Sequence, residues 1–241
     1  VFVGTDRTRV LIDIGLSRRE ITKRLAAIGE CVESLDAILI THEHSDHICG
    51  VVSMAKKFKI PIYLTHQTAP TIDWAECEPR LETFQAGCGF VVGDFDVASF
   101  TIPHDAIDPV GYTLRAEGVR IGVVTDLGYM PDSIKVHLKS ANLLLLESNH
   151  DLDMLKDGPY PWSVKQRVMS RRGHLSNDVV AHFIRDDLDC TVSTLILGHL
   201  SEHNNHPELA RRAAVKALDG RALFTRLVVA EPGMQSEVFT Y

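Results

Sequence analysis

The chain has 241 residues, 45% hydrophobic and 24% charged, the proportions of an ordinary globular protein, which argues against disordered and fibrous designs. Its formal net charge of -7 excludes a generally basic nucleic-acid coat, although a local positive patch on an acidic body stays compatible with a nucleic-acid enzyme. Five cysteines, odd in number and without a C-x-x-C pair, argue against a disulfide framework or a thiolate metal cage and favour a reducing, cytoplasmic setting.

Short apolar, β-branched runs predict strands over 10–12, 37–40, 60–64, 97–102, 111–114, 120–124, 143–146, 195–197 and 227–229. Between them the spacing predicts helices over 17–28, 131–139, 163–172, 177–187 and 207–218. Ser17 and Glu20 fit a capping box; Ser176 or Asn177 can cap the fourth helix and Asn205 the last. Gly-Pro-Tyr-Pro at 158–161 reads as a surface loop. The leucine run at 143–146 falls far short of a membrane span, and the start lacks a basic segment followed by an apolar one, so no membrane association is expected. No repeat or linker interrupts the pattern, and one domain over 1–241 is expected.

The polar residues that follow these strands carry the functional signal. Asp13 follows Val-Leu-Ile, His42 and His44 follow Ala-Ile-Leu-Ile, and His104 follows Thr-Ile-Pro. Asp126 follows Val-Val-Thr, Glu147 follows four leucines, and His199 follows Leu-Ile-Leu-Gly. Strands sharing a sheet bring such ends to one edge, where distant residues can build a site. Within H-x-H-x-D-H, His42 and His44 are two apart in extended chain and point the same way, so both can reach one cation. Asp46 and His47 lie where a helix is expected to begin and turn toward a neighbouring position. One short loop can therefore serve two metals, completed by His104, His199 and a bridging Asp126. Nitrogen and oxygen donors without thiolate suit two divalent ions, Zn, Mn or Fe.

Taken together, L-I-D-I-G, T-H-E-H-S-D-H, P-H-D, T-D-L-G, L-E-S-N-H-D, G-H-L-S-N and L-G-H-L-S-E-H-N-N resemble the metallo-β-lactamase superfamily, and most of all its YycJ/WalJ subgroup, relatives of tRNase Z. The resemblance implies an α+β (α/β-type) four-layer αββα sandwich. It also implies that His42, His44 and His104 hold one ion, that Asp46, His47 and His199 hold the other, that Asp126 bridges, and that Asp13 orients the ligands. Glu147 and His174 match a Glu-His pair of the tRNase Z relatives, where a carboxylate-held imidazole suits the poor leaving group of a phosphodiester. Neither a long insertion like the tRNase Z arm nor the extra domain of the β-CASP nucleases is present.

The expected activity is hydrolysis of a phosphodiester, in DNA or RNA, by hydroxide generated between two cations, with Asp46, His174 and Glu147 in catalytic roles. His203, Asn204, Ser176 and Arg172 are expected near the substrate phosphates. The basic run Lys165, Arg167, Arg171 and Arg172 reads either as phosphate contact or as a solvated helix face. Cys49 is expected as a small buried residue beneath the loop rather than a nucleophile. Two rivals remain: a glyoxalase II-like thioester or lactone hydrolase, in which Glu147 and His174 are incidental, and a metal-stabilised regulatory protein without catalysis.

Overall fold

All nine predicted strands form within two residues of their expected bounds. The structure, a computed structural model, describes residues 1–221 and 224–241. The chain divides into two compact units, Val1–Thr101 with Ala106–Val110, and Ile102–Asp105 with Gly111–Tyr241.

In the first unit, β1 (Phe2–Gly4), β2 (Arg9–Ile12), β3 (Ala37–Leu39), β4 (Ile62–Thr65) and β5 (Leu81–Phe84) make a sheet in that order. Only β1 and β2 pair antiparallel; the later pairs are parallel, with Ile12 opposite Leu39. Helix α1 (Arg18–Ala27) is capped by Ser17, whose Oγ accepts from the Glu20 N–H, while the Glu20 carboxylate pairs with Arg24 rather than completing the expected capping box. Two helices follow β3: α2 (Ser45–Ile48) and α3 (Val51–Phe58). The second is absent from the sequence reading, although Val51, Met54 and Ala55 bury one helical stripe. They join Leu11, Ile21, Leu25, Ile38 and Ile62 in one apolar cluster. β6 (Gly89–Val92) and β7 (Phe95–Thr101) form an antiparallel hairpin.

The second unit is built on β8 (Val110–Ala116, whose first residue belongs to the first unit), β9 (Val119–Val124), β10 (Leu143–Glu147), β11 (Thr194–Gly198) and β12 (Arg226–Val229). β8 and β9 pair antiparallel, while β9, β10, β11 and β12 are parallel neighbours in the order β9-β10-β11-β12. Near-continuous leucine, isoleucine and valine in the central strands is what a sheet buried on both faces needs. The connecting helices are α4 (Asp132–Leu138), α5 (Leu152–Asp157), α6 (Trp162–Val168), α7 (Asn177–Asp186) and α8 (Pro207–Leu218). Helix α6 ends before the predicted 172 because the chain folds back, with the His174 N–H donating to the Val168 carbonyl at 2.9 Å. Helix α8 is capped by His206 rather than Asn205, whose side-chain amide is committed to the carbonyls of Ser148 and Asn149. No helix among the described residues is long and apolar enough to cross a membrane.

Candidate metal centre

In the first unit the register of β2 against β3 sends Asp13 and the H-x-H-x-D-H loop out at one edge. Asp13 adopts left-handed backbone, φ 59°, a conformation that costs a non-glycine residue about 1–3 kcal/mol. Its Oδ1 accepts from the Thr41 N–H, and its Oδ2 from the Thr41 hydroxyl and from His47 Nδ1, all at 2.8 Å. Since the single hydroxyl proton of Thr41 points to Asp13, its oxygen accepts from His42 Nδ1 at 3.0 Å. Both imidazoles thus carry their proton on Nδ1 and present the Nε2 lone pair, the arrangement of a metal-ligating histidine. Burial pushes the Asp13 carboxyl up, but His47 and Thr41 outweigh it and hold the group below the usual carboxylate range.

The rings of His42 and His44 lie 4.6 Å apart between centroids, and those of His42 and His47 4.1 Å apart. Asp46, in the first turn of α2, stays exposed, with Oδ2 3.6 Å from His47 Nε2. Gly15 makes this packing feasible: a Cβ there would sit 1.6 Å from the Asp46 carbonyl oxygen. The short helix turns Cys49 outward, so this cysteine is exposed and not the buried residue expected.

In the second unit Val124, Leu146 and Leu197 lie side by side across β9, β10 and β11, so Asp126, Glu147 and His199 emerge at one edge. Asp126 and His199 are also left-handed, with φ of 63° and 56°. Asp126 Oδ1 lies 3.8 Å from His104 Nε2, 3.7 Å from His174 Nδ1 and 3.5 Å from His199 Nε2. His104 donates from Nδ1 to the Gly173 carbonyl at 3.2 Å, which again makes Nε2 the nitrogen that could ligate a cation.

Glu147 is fully buried and makes four hydrogen bonds. Oε1 accepts from His174 Nδ1 at 2.8 Å and from His199 Nδ1 at 2.9 Å; Oε2 accepts from the N–H groups of Leu127 and Leu175. Burial acts to raise its pKa, yet the two imidazoles hold it well below the ordinary carboxylate range. Burial likewise opposes charge on His174, and Glu147 and Asp126 more than compensate, so its pKa rises. Sequence reasoning missed the bond from Glu147 to His199. Asp126, Glu147, His174 and His199 offer ligand atoms within 4.8 Å of one another.

The structure therefore gathers His42, His44, Asp46, His47 and Asp13 in one unit and His104, Asp126, Glu147, His174 and His199 in the other. Imidazoles held through Nδ1, with carboxylates alongside and no thiolate, fit a divalent cation. Of the residues expected near phosphate, Arg172 and His203 are exposed, and Arg172 Nε donates to the His104 carbonyl at 3.2 Å. Ser176 and Asn204 are buried: the Ser176 hydroxyl caps α7, and the Asn204 amide bonds Ser201. In the basic run, Lys165 is buried against the Lys156 carbonyl, Arg167 pairs with Asp105, and Arg171 lies 4.0 Å over the Tyr129 ring. That run is therefore not a uniform solvated face.

Helix-flanked sheets with imidazoles and carboxylates gathered at strand ends define a metallo-β-lactamase fold. The chain belongs to the β-lactamase superfamily, the family's "Beta-lactamase superfamily domain" matching residues 8–200. It is 37% identical over 222 residues to Exodeoxyribonuclease WalJ of Streptococcus pneumoniae, covering 90% of this chain and 82% of that one. Exodeoxyribonuclease YycJ of Bacillus anthracis is 37% identical over 228 residues, covering 91% and 84%. Among solved structures, the metallo-β-lactamase fold protein YhfI from Bacillus subtilis superposes with a TM-score of 0.74 at 18% identity, covering 97% of this chain and 88% of that one.

Proposed function

We propose that the chain is a metal-dependent phosphodiesterase acting on nucleic acid, most specifically an exonuclease on DNA. The observation that carries this reading is the 2.8 Å hydrogen bond between His174 Nδ1 and Glu147 Oε1 beside Asp126. An ester with a good leaving group has little need of such a pair, whereas an alkoxide leaving from phosphorus needs a proton. The likeness to two proteins named exodeoxyribonucleases supports DNA as the substrate and argues against the thioester alternative.

Two divalent ions would be held by His42, His44 and His104, by Asp46, His47 and His199, and by a shared Asp126. When bound, they would lower the pKa of water enough to make hydroxide available near neutral pH and would neutralise charge on the phosphoryl oxygens. Asp46, exposed at the start of α2, would accept a hydrogen bond from the attacking water and aim it at phosphorus. His174, with Nδ1 committed to Glu147, would deliver the Nε2 proton to the leaving oxygen. Arg172 and His203, the exposed pair, would meet the substrate strand. The family match over 8–200 runs through both units, which supports reading them as one catalytic domain.

The test is metal analysis of the purified protein combined with end-labelled single- and double-stranded DNA and RNA. Metal-dependent ladders from one DNA end are expected. Turnover of a thioester or lactone with no phosphodiester cleavage would replace this reading with the rival reaction, and stoichiometric metal without any hydrolysis would favour the regulatory one.

A further inference from the structure

Two loops of the second unit carry aromatic rings at or near the surface, Tyr160 half-buried and Trp162 exposed. The loop over 158–161 carries Tyr160 and leads into Trp162, the first residue of α6, while His203 lies four residues past His199. They are fastened through Asn204: its carbonyl accepts from the Asp151 N–H at 2.8 Å, and a Cβ on Gly158 would fall 2.6 Å from its Oδ1. Asn205 next to it is locked by bonds to Ser148, Asn149 and Asn177. His203 is thus an exposed residue of a fixed loop, and its ring meets Tyr160 edge to face, with centroids 5.9 Å apart and planes at 76°. Trp162 is 60% exposed.

Large rings usually stabilise a fold by being buried, so exposed ones on tethered loops are available to a partner. Phosphate would select cations and N–H donors; a ring face selects another flat, polarisable face. Arg172, exposed in the same unit and anchored on the carbonyl of His104, supplies positive charge. We propose that Tyr160, His203 and Trp162 form a stacking platform for the unpaired bases at an end of single-stranded DNA. Bases inside a duplex already cover one another, so the platform selects a single-stranded or frayed end, and stacking makes the choice tolerant of sequence. This rests on the nuclease reading and adds to it the part of the substrate that binds.

The test uses the metal-loaded protein and single-stranded oligodeoxynucleotides whose terminal nucleotides carry bases or are abasic. The base-bearing strand is expected to have about tenfold higher kcat/KM, an advantage that Tyr160→Ala and His203→Ala reduce toward parity. His203→Phe, which keeps a ring but cannot bond phosphate, retains the advantage; its loss there would overturn stacking in favour of a phosphate contact. Phosphorothioate strands are expected to quench the fluorescence of Trp162 in wild type, a response absent from Trp162→Phe, in which Trp74 remains with Nε1 bonded to the Ala69 carbonyl. Equal cleavage of abasic and base-bearing strands by wild type would remove the platform while leaving the nuclease reading intact. A larger base-dependent advantage on RNA would overturn the choice of DNA. Failure to cleave any strand, with turnover of a thioester, would instead remove the nuclease reading itself.

Discussion

Glu147 and His199 are joined by a 2.9 Å hydrogen bond from the imidazole Nδ1 to Oε1, so the carboxylate that holds the proposed acid His174 also orients a proposed metal ligand. The two substitutions at this pair should therefore separate. His174→Ala is expected to keep its metal while losing about 10²–10⁴-fold in phosphodiester turnover, the usual contribution of a positioned acid. Glu147→Ala should lose turnover and also about 10–100-fold in metal affinity, since His199 is no longer held. Metal content after dialysis, measured beside kcat, distinguishes them. Full activity in His174→Ala would take the acid out of the scheme.

Asp13 has the corresponding place in the first unit. Its carboxylate accepts three hydrogen bonds, from the Thr41 N–H, the Thr41 hydroxyl and His47 Nδ1. Asp13→Asn keeps the size but replaces one acceptor oxygen with a donor NH₂. That group faces other donors whichever way the amide is turned. Metal affinity is expected to fall about 10–100-fold, read by competition with a chelating dye, with the circular-dichroism spectrum preserved. Unchanged affinity would mean that His42 and His47 are oriented by packing alone.

Gly15→Ala probes the close approach of β2's exit to the loop proposed to bind metal. The new Cβ would lie 1.6 Å from the Asp46 carbonyl oxygen, a backbone atom that cannot move without α2. Ile14 and His47 are joined there by a 2.7 Å backbone bond, so the displacement passes directly to a proposed ligand. A loss of about 2–4 kcal/mol in urea unfolding is expected, together with loss of metal from the first unit's ligands. A variant with wild-type stability and full metal would show that the loop yields without cost.

The strand ends were legible because parallel strands buried on both faces read as short apolar runs, and a charged or imidazole side chain at the end of such a run stands out. Asp126, Glu147 and His199 were found in this way. Less visible was the backbone at Asp13, Asp126 and His199, whose left-handed φ values have no glycine to announce them. The strands β1, β5 and β6 escaped because they are short and only partly buried, without a clean apolar run. Cys49 was misplaced because a four-residue helix sets its direction, and four residues carry too little periodicity to read. The bond between Glu147 and His199 joins residues 52 apart, a separation that no local pattern encodes.

His150 provides a pH prediction outside the proposed ligand set. It is 1% exposed, and its Nδ1 has no hydrogen-bond partner among the described residues. Burial pushes its pKa from 6.5 down to about 4, against the opposing pull of Glu147. The unfolded chain binds this proton near pH 6.5 while the folded chain refuses it until about pH 4. Stability from this source is intact above pH 6.5, is lost progressively as the pH falls, and levels off below about 4. The full loss amounts to about 3 kcal/mol. His150→Gln, which cannot titrate, should flatten the pH dependence of urea unfolding over that window by about this amount. Any pH effect common to both proteins cancels in the difference between their profiles, which isolates His150. Parallel profiles would show that the folded chain already accepts the proton near pH 6.5, through a local opening that brings water to Nδ1.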